Sequence, residues 1–217
     1  MFEEFLSTNA FSFVVMGILV VFALLLMIFL PRVKIKPRML AHGALCIAAA
    51  FVLSLITLYR MPQGGAVTPA SMLPIFLFAY AYGLGPGLLC GFAFSLLSLL
   101  GGATIVHPIQ LLLDYTLPLT LLALCAITRD LPLKGKAGNL RFSMGIFIAV
   151  AIRVALHTLS GVIFFAMYAP EGQSPLVYSL IYNLTATGTD GLICMVVSLI
   201  PQVQQLATRL RAQVQNA

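Results

Sequence analysis

The sequence predicts an all-α integral membrane protein, and three observations carry that prediction. Sixty-one per cent of the 217 residues are hydrophobic and 8% are charged, where a soluble domain has about 25% charged residues. The mean hydropathy is +1.05. The apolar residues also lie in long continuous runs, without the alternation that a membrane β-barrel needs. So little polar sequence leaves no room for a separate soluble domain.

Seven apolar spans can be read in order: 11–31, 41–59, 69–82, 86–101, 108–128, 142–168 and 175–201. The first follows the acidic stretch "MFEEF". It lacks a basic leader and its apolar run is too long for a cleavable signal peptide, so it reads as a transmembrane helix. The third and fourth are short against the roughly 20 residues that cross a bilayer core. They meet at "GLGPG" (83–87), a Gly/Pro turn suited to joining antiparallel helices. The chain then divides into an extra N-terminal helix and basic loop (1–38), a six-helix membrane domain (39–203) and a tail (204–217). Arg32, Lys34, Lys36, Arg38, Arg129, Lys134, Lys136, Arg141, Arg209 and Arg211 all fall on one side if seven spans are present, which is ten of the twelve Lys and Arg. By the positive-inside rule that side is cytoplasmic, so the N-terminus is expected outside and the C-terminus inside. The loop from 60, "RMPQGGAVTP", is then external. It reads either as a lid over the bundle mouth or as an ordinary connection.

Several chemistries have no signature here. Cys46, Cys90, Cys125 and Cys194 are far apart in apolar segments, which indicates packing and not a disulfide framework or a metal site. His42, His107 and His157 lie on separate segments and make a poor metal set. There is no HExxH, GxSxG or Walker A sequence. No metal, cofactor or catalytic residue is expected.

The informative residues are polar groups inside apolar spans. A charge at the centre of a membrane helix costs about 2.5–3.5 kcal/mol on insertion scales. Asp114 nevertheless lies about six residues into its span, roughly 9 Å deep at 1.5 Å per residue. Asp114, Tyr115, His157, Tyr178 and Asn183 all fall in the outer halves of three helices. Such convergence fits an outward-opening polar pocket, with interhelical hydrogen bonding as the plainer alternative. Arg153 and Asp190 are at equal depth on consecutive helices and are expected to form a structural ion pair.

The segments "LLLDYTLPLTLLALCAI" (111–127) and "RVALHTLSGVIFFAMYAPEGQSPLVYSLIYNLTATG" (153–188) resemble the ThiT (YuaJ) family, the thiamine-specific S-components of energy-coupling factor transporters. The resemblance spans about 39–203. It rests on Asp114-Tyr115, then His157, Gly161, Phe164 and Phe165, then Tyr178, Ser179 and Asn183. It implies a six-helix S-component bundle to which span one is extra. It also implies thiamine binding by Asp114, Tyr115, His157, Gly161, Phe165, Tyr178 and Asn183. The expected partners are a transmembrane coupling subunit and two ATPases, with the coupling subunit contacted through an Ala-x-x-x-Ala face, here Ala44 and Ala48. A buried carboxylate and aromatic faces suit a cationic thiazolium ring. The sequence departs from the family in having no tryptophan: Phe165 and a position near Gly65 stand where Trp is usual, and Asp114 replaces the usual Glu. A thiamine precursor or another cationic heterocycle is therefore an alternative ligand, and a non-transporting membrane scaffold of the same fold an alternative role.

Overall fold

The computed structural model describes Leu24, Ile28, Val33 and residues 35–132 and 140–215. Apart from Leu24 and Ile28, the expected span 11–31 lies outside the described residues, as does most of the proposed 1–38 segment. Among the described residues five helices are long and apolar enough to cross a membrane: α1 (Pro37–Leu55), α3 (Leu84–Gly101), α4 (Pro108–Asp130), α5 (Arg141–Phe164) and α6 (Pro175–Ser198). A shorter apolar helix, α2 (Leu73–Tyr82), lies between the first two. A final helix, α7 (Pro201–Gln215), follows α6. The chain is a multi-pass helical membrane protein, as its composition implies.

Helix α2 has ten residues and covers about 15 Å. It is apolar all round and buries Ile75, Phe76, Phe78, Ala79, Tyr80 and Ala81, as a helix enclosed by others must. The span expected from 69 begins as helix only at Leu73, because Pro74 sets the first helical turn. Residues 67–72 before it are not a surface loop: Val67, Thr68, Ala70, Ser71 and Met72 are all buried. The turn into α3 is a single residue, Gly83, at φ +97°, a conformation L side chains avoid.

Helix α4 is the most enclosed span and α1 the least. α4 packs on α2, α3 and α5, and α1 leaves Ala44, Leu45 and Val52 exposed. Neither α4 nor α6 is regular. Each opens into one π-type turn, Leu112–Thr116 in α4 and Leu184–Gly188 in α6. In α4 the cause is Pro118. It has no N–H to give the Asp114 carbonyl four residues back, and its ring crowds that carbonyl, so the turn widens.

The main apolar core, which includes Met72, Phe76, Leu122, Cys125, Phe142 and Ile146, fills the half of the bundle nearer the basic loops. A smaller cluster of Leu113, Leu117 and Ile163 lies toward the other end. The segment read as a tail is helical to Gln215 and packs on α2, with Ala207 buried. Its Arg211 bonds Asp130 at 2.6 Å, and Asp130 also forms an ion pair with Arg129, with Nε 3.1 Å from Oδ2. This ties α7 to the basic end of α4.

Candidate functional site: a polar cavity under a hairpin

A cavity of about 500 Å³ opens between α4, α5 and α6 at the end opposite the basic loops. Ligand pockets commonly have about 300–1,000 Å³. Asp114, Tyr115, His157, Gly161, Phe165, Tyr178 and Asn183 all line it. The wide turn at Leu112–Thr116 carries Asp114 and Tyr115, two consecutive residues that an ordinary turn would spread 100° apart. π-turns of this kind are frequent at functional sites.

Asp114 is held from two sides. Its Oδ2 accepts from Gln110 Nε2 at 2.7 Å, and its Oδ1 lies 3.3 Å from His157 Nδ1. Gln110 also donates to the Thr104 carbonyl at 3.2 Å and accepts from the Val106 N–H at 3.3 Å, while Tyr115 Oη accepts from the Thr104 N–H at 3.0 Å. The carboxylate and the 104–106 loop are therefore one network. Among the described residues no group of three His, Cys, Asp or Glu could hold a metal ion.

Asn183 and Ser179 form the wall on α6. Ser179 Oγ donates to the Thr158 carbonyl at 2.9 Å, and Asn183 Nδ2 donates to the Ser179 carbonyl at 2.9 Å. This leaves the Asn183 amide oxygen without a bond in the network. The aromatic surface comes from two pairs, Phe165 with Tyr168 (centroids 6.3 Å apart, stacked) and Tyr178 with Tyr182 (6.2 Å, tilted). Helix α5 ends at Phe164, earlier than the expected 168, and the tight turn Ala166–Tyr168 lets Phe165 and Tyr168 both border the cavity.

The 60–68 segment is a hairpin. β1 (Tyr59–Arg60) pairs antiparallel with β2 (Ala66–Val67), and Gln63 to Ala66 line the cavity. Two contacts to α6 fasten it. The Gly65 N–H donates to Tyr182 Oη at 3.1 Å, and Thr68 donates to Asp190 Oδ1 from its N–H (3.0 Å) and its hydroxyl (2.6 Å). A Cβ at position 65 would sit 3.0 Å from Tyr182 Oη and 3.2 Å from Ala186 Cβ. Tyr182 thus occupies the space that a lid side chain at 65 would need.

The expected Arg153–Asp190 ion pair is not formed. Among the described residues no nitrogen–oxygen contact within 4 Å joins them. Asp190 turns to Thr68 of the hairpin, while Arg153 Nε donates to His157 Nε2 at 3.3 Å and its Nη1 contacts Met72 Sδ. Equal depth on neighbouring helices does not fix which way each side chain faces. Both residues line the cavity, as do Gln110 and Tyr182, none of which was among the predicted site residues. Helical spacing held a signal for three of them: Gln110 is four residues before Asp114, Tyr182 four after Tyr178, and Arg153 four before His157.

A polar cavity with an aromatic rim, enclosed in an apolar helical bundle, defines a multi-pass membrane protein with a cavity of small-molecule size between its helices. Residues 40–210 match the family model for thiamine transporter protein (Thia_YuaJ), and the chain belongs to that family of membrane transporter components, which are not enzymes. The chain is 34% identical over 163 residues to the thiamine transporter ThiT of Bacillus subtilis, covering 71% of this chain and 84% of the relative. It is 32% identical over 149 residues to ThiT of Lacticaseibacillus paracasei, covering 63% and 74%. The solved structure of ThiT from Listeria monocytogenes superposes with a TM-score of 0.67 at 22% identity, over 80% of this chain and 96% of that one, so it shares the fold.

Proposed function

We propose that this chain is the substrate-binding membrane component of a thiamine uptake system, taking the vitamin from outside into the cavity under the hairpin. The observation that carries this reading is Asp114, a carboxylate inside an apolar bundle that faces a cavity bordered by aromatic rings. A permanently cationic heterocycle supplies the counter-charge that the carboxylate lost with its water, and ring faces attract the same cation. The Asn183 amide and the Tyr178 phenol suit the hydrogen-bonding edge of an aminopyrimidine. Tyr115, His157, Gly161 and Phe165 complete the proposed ligand wall. With the basic loops inside, the hairpin end faces outward.

The test is calorimetry on the purified protein with thiamine, its aminopyrimidine half and its thiazole half. Sub-micromolar thiamine binding, with each half much weaker, is the expected result. Preference for the aminopyrimidine half alone would make a precursor the ligand. No binding of any of the three would end the thiamine reading and leave a membrane scaffold of the same fold.

No nucleotide-binding motif is present, so uptake on this reading draws on a separate coupling subunit with two ATPases. Ala44 and Ala48 fit that contact: both are exposed on α1, one turn apart, and small residues allow close helix approach. A bulky substitution such as Ala44→Trp or Ala48→Trp is expected to abolish co-purification with a coupling subunit and uptake by cells. Thiamine affinity of the isolated protein should stay within about twofold, since neither residue lines the cavity. Equal loss of affinity and uptake would count against the docking role.

A further inference from the structure

We propose that Arg153 is a positioning residue that holds His157 neutral and aimed at Asp114, keeping the carboxylate free for a cationic ligand. The inference rests on the reading above for the ligand's charge and goes beyond it in assigning Arg153 a task.

The geometry fixes the proton. An arginine Nε–H can only donate, so His157 Nε2, at 3.3 Å from it, presents its lone pair. The ring then carries its single proton on Nδ1, the nitrogen 3.3 Å from Asp114 Oδ1. The guanidinium is held in turn by its contact with Met72 Sδ. An imidazolium at this position would point a second N–H at the guanidinium, bringing donor against donor and charge against charge. It would also neutralise Asp114, and an incoming cation would have to displace it.

Without Arg153, His157 Nε2 loses the donor that occupies its lone pair, and that nitrogen is open to a second proton beside the Asp114 carboxylate. The remaining charged groups on the cavity wall are Asp114 from α4, Asp190 from α6 and Arg60 from the hairpin. Its phenols are Tyr115, Tyr168, Tyr178 and Tyr182. Histidine is the residue type on this wall that ordinarily changes charge between pH 6 and 8, and observing its ring nitrogens directly assigns a pH dependence in that window to His157.

Two measurements test the assignment on the full chain in detergent or nanodiscs. Nitrogen-15 NMR of labelled histidine, with His157 assigned by its loss in His157→Gln, should show the Nδ1–H form throughout pH 8 to 6. The Nε2–H form, or an imidazolium at pH 7, would overturn the proposal, and this readout needs no ligand and no Arg153 variant. Thiamine affinity should change less than about twofold from pH 8 to pH 6 in the natural protein. In Arg153→Met it should fall by more than about twofold, because a ring no longer faced by the guanidinium can take a second proton beside Asp114 as the pH falls. A merely structural arginine would lower the melting temperature and leave the pH profile flat, and a flat profile in a folded Arg153→Met would sink the proposal. If the natural protein binds no thiamine at either pH, the transport reading fails, and the NMR measurement still decides the role of Arg153.

Discussion

Asp114→Asn is expected to weaken thiamine binding by about 2–5 kcal/mol, the usual cost of removing one partner of a buried charge pair. That is a loss of about thirtyfold to several-thousandfold. The fold should survive. Asparagine keeps the shape, and its carbonyl oxygen can still accept from His157 Nδ1. Its amide nitrogen then faces Gln110, which must turn its own side-chain amide over and give up its bonds to Thr104 and Val106. Some loosening of the 104–106 loop should accompany the lost affinity, without a large drop in melting temperature. Calorimetry beside a thermal melt separates the two effects. A neutral isostere of thiamine should lose far less affinity than thiamine itself, because only the charged ligand draws on the carboxylate. Unchanged thiamine affinity in the asparagine variant would remove Asp114 from the site.

Much of this architecture is legible in the sequence because membrane insertion constrains composition directly. Apolar runs mark the spans, and the clustering of Lys and Arg marks one end of the bundle. Polar residues within the spans stand out because each is costly there. The structure sets Asp114, His157, Tyr178 and Asn183 around one cavity, and their depth along three helices is what pointed to it. Depth carries no information about rotation, and the Arg153–Asp190 reading failed for that reason. Asp190 faces Thr68, 122 residues away in sequence, on a segment whose burial nothing local announces. Gly-Pro-rich composition suggests a turn, but not that residues 67–72 plug into the bundle. The π-turn at 112–116 was partly readable, since Pro118 deprives the Asp114 carbonyl of its partner. The second, at 184–188, has no proline, and nothing local in the sequence marks it.

The hairpin contacts give the cavity a coherent closure. Gly65 and Thr68 both bond to α6, the helix that also supplies Tyr178 and Asn183. Opening the hairpin would expose Asp190, which is 4% accessible, and strip it of two hydrogen bonds. Tyr182 belongs to both parts, as anchor for Gly65 and as cavity wall. The aromatic surface of the cavity is spread over Phe165, Tyr168, Tyr178 and Tyr182.

Gly161→Ala should be the most damaging single-methyl change near the site. A Cβ on Gly161 would lie 2.0 Å from Ser179 Oγ and 3.0 Å from Ser179 Cβ, far inside van der Waals contact. The hydroxyl cannot simply rotate away at no cost. Ser179 is buried, its Oγ donates to the Thr158 carbonyl, and the same oxygen is 3.3 Å from Asn183 Nδ2. Overpacking of this kind costs about 1–3 kcal/mol, and each buried polar group left unpaired adds about 1–3 kcal/mol. If α5 and α6 instead move apart, the cavity wall widens where Asn183 is held, so affinity falls with stability. The expected result is a clearly lowered melting temperature in detergent together with weakened thiamine binding. Adding Ser179→Gly removes the opposing side chain and should recover part of the stability, less about 1 kcal/mol for a glycine within a helix. Recovery in the double variant locates the damage at this crossing. A Gly161→Ala protein that melts and binds like the natural one would show that α5 and α6 do not approach this closely.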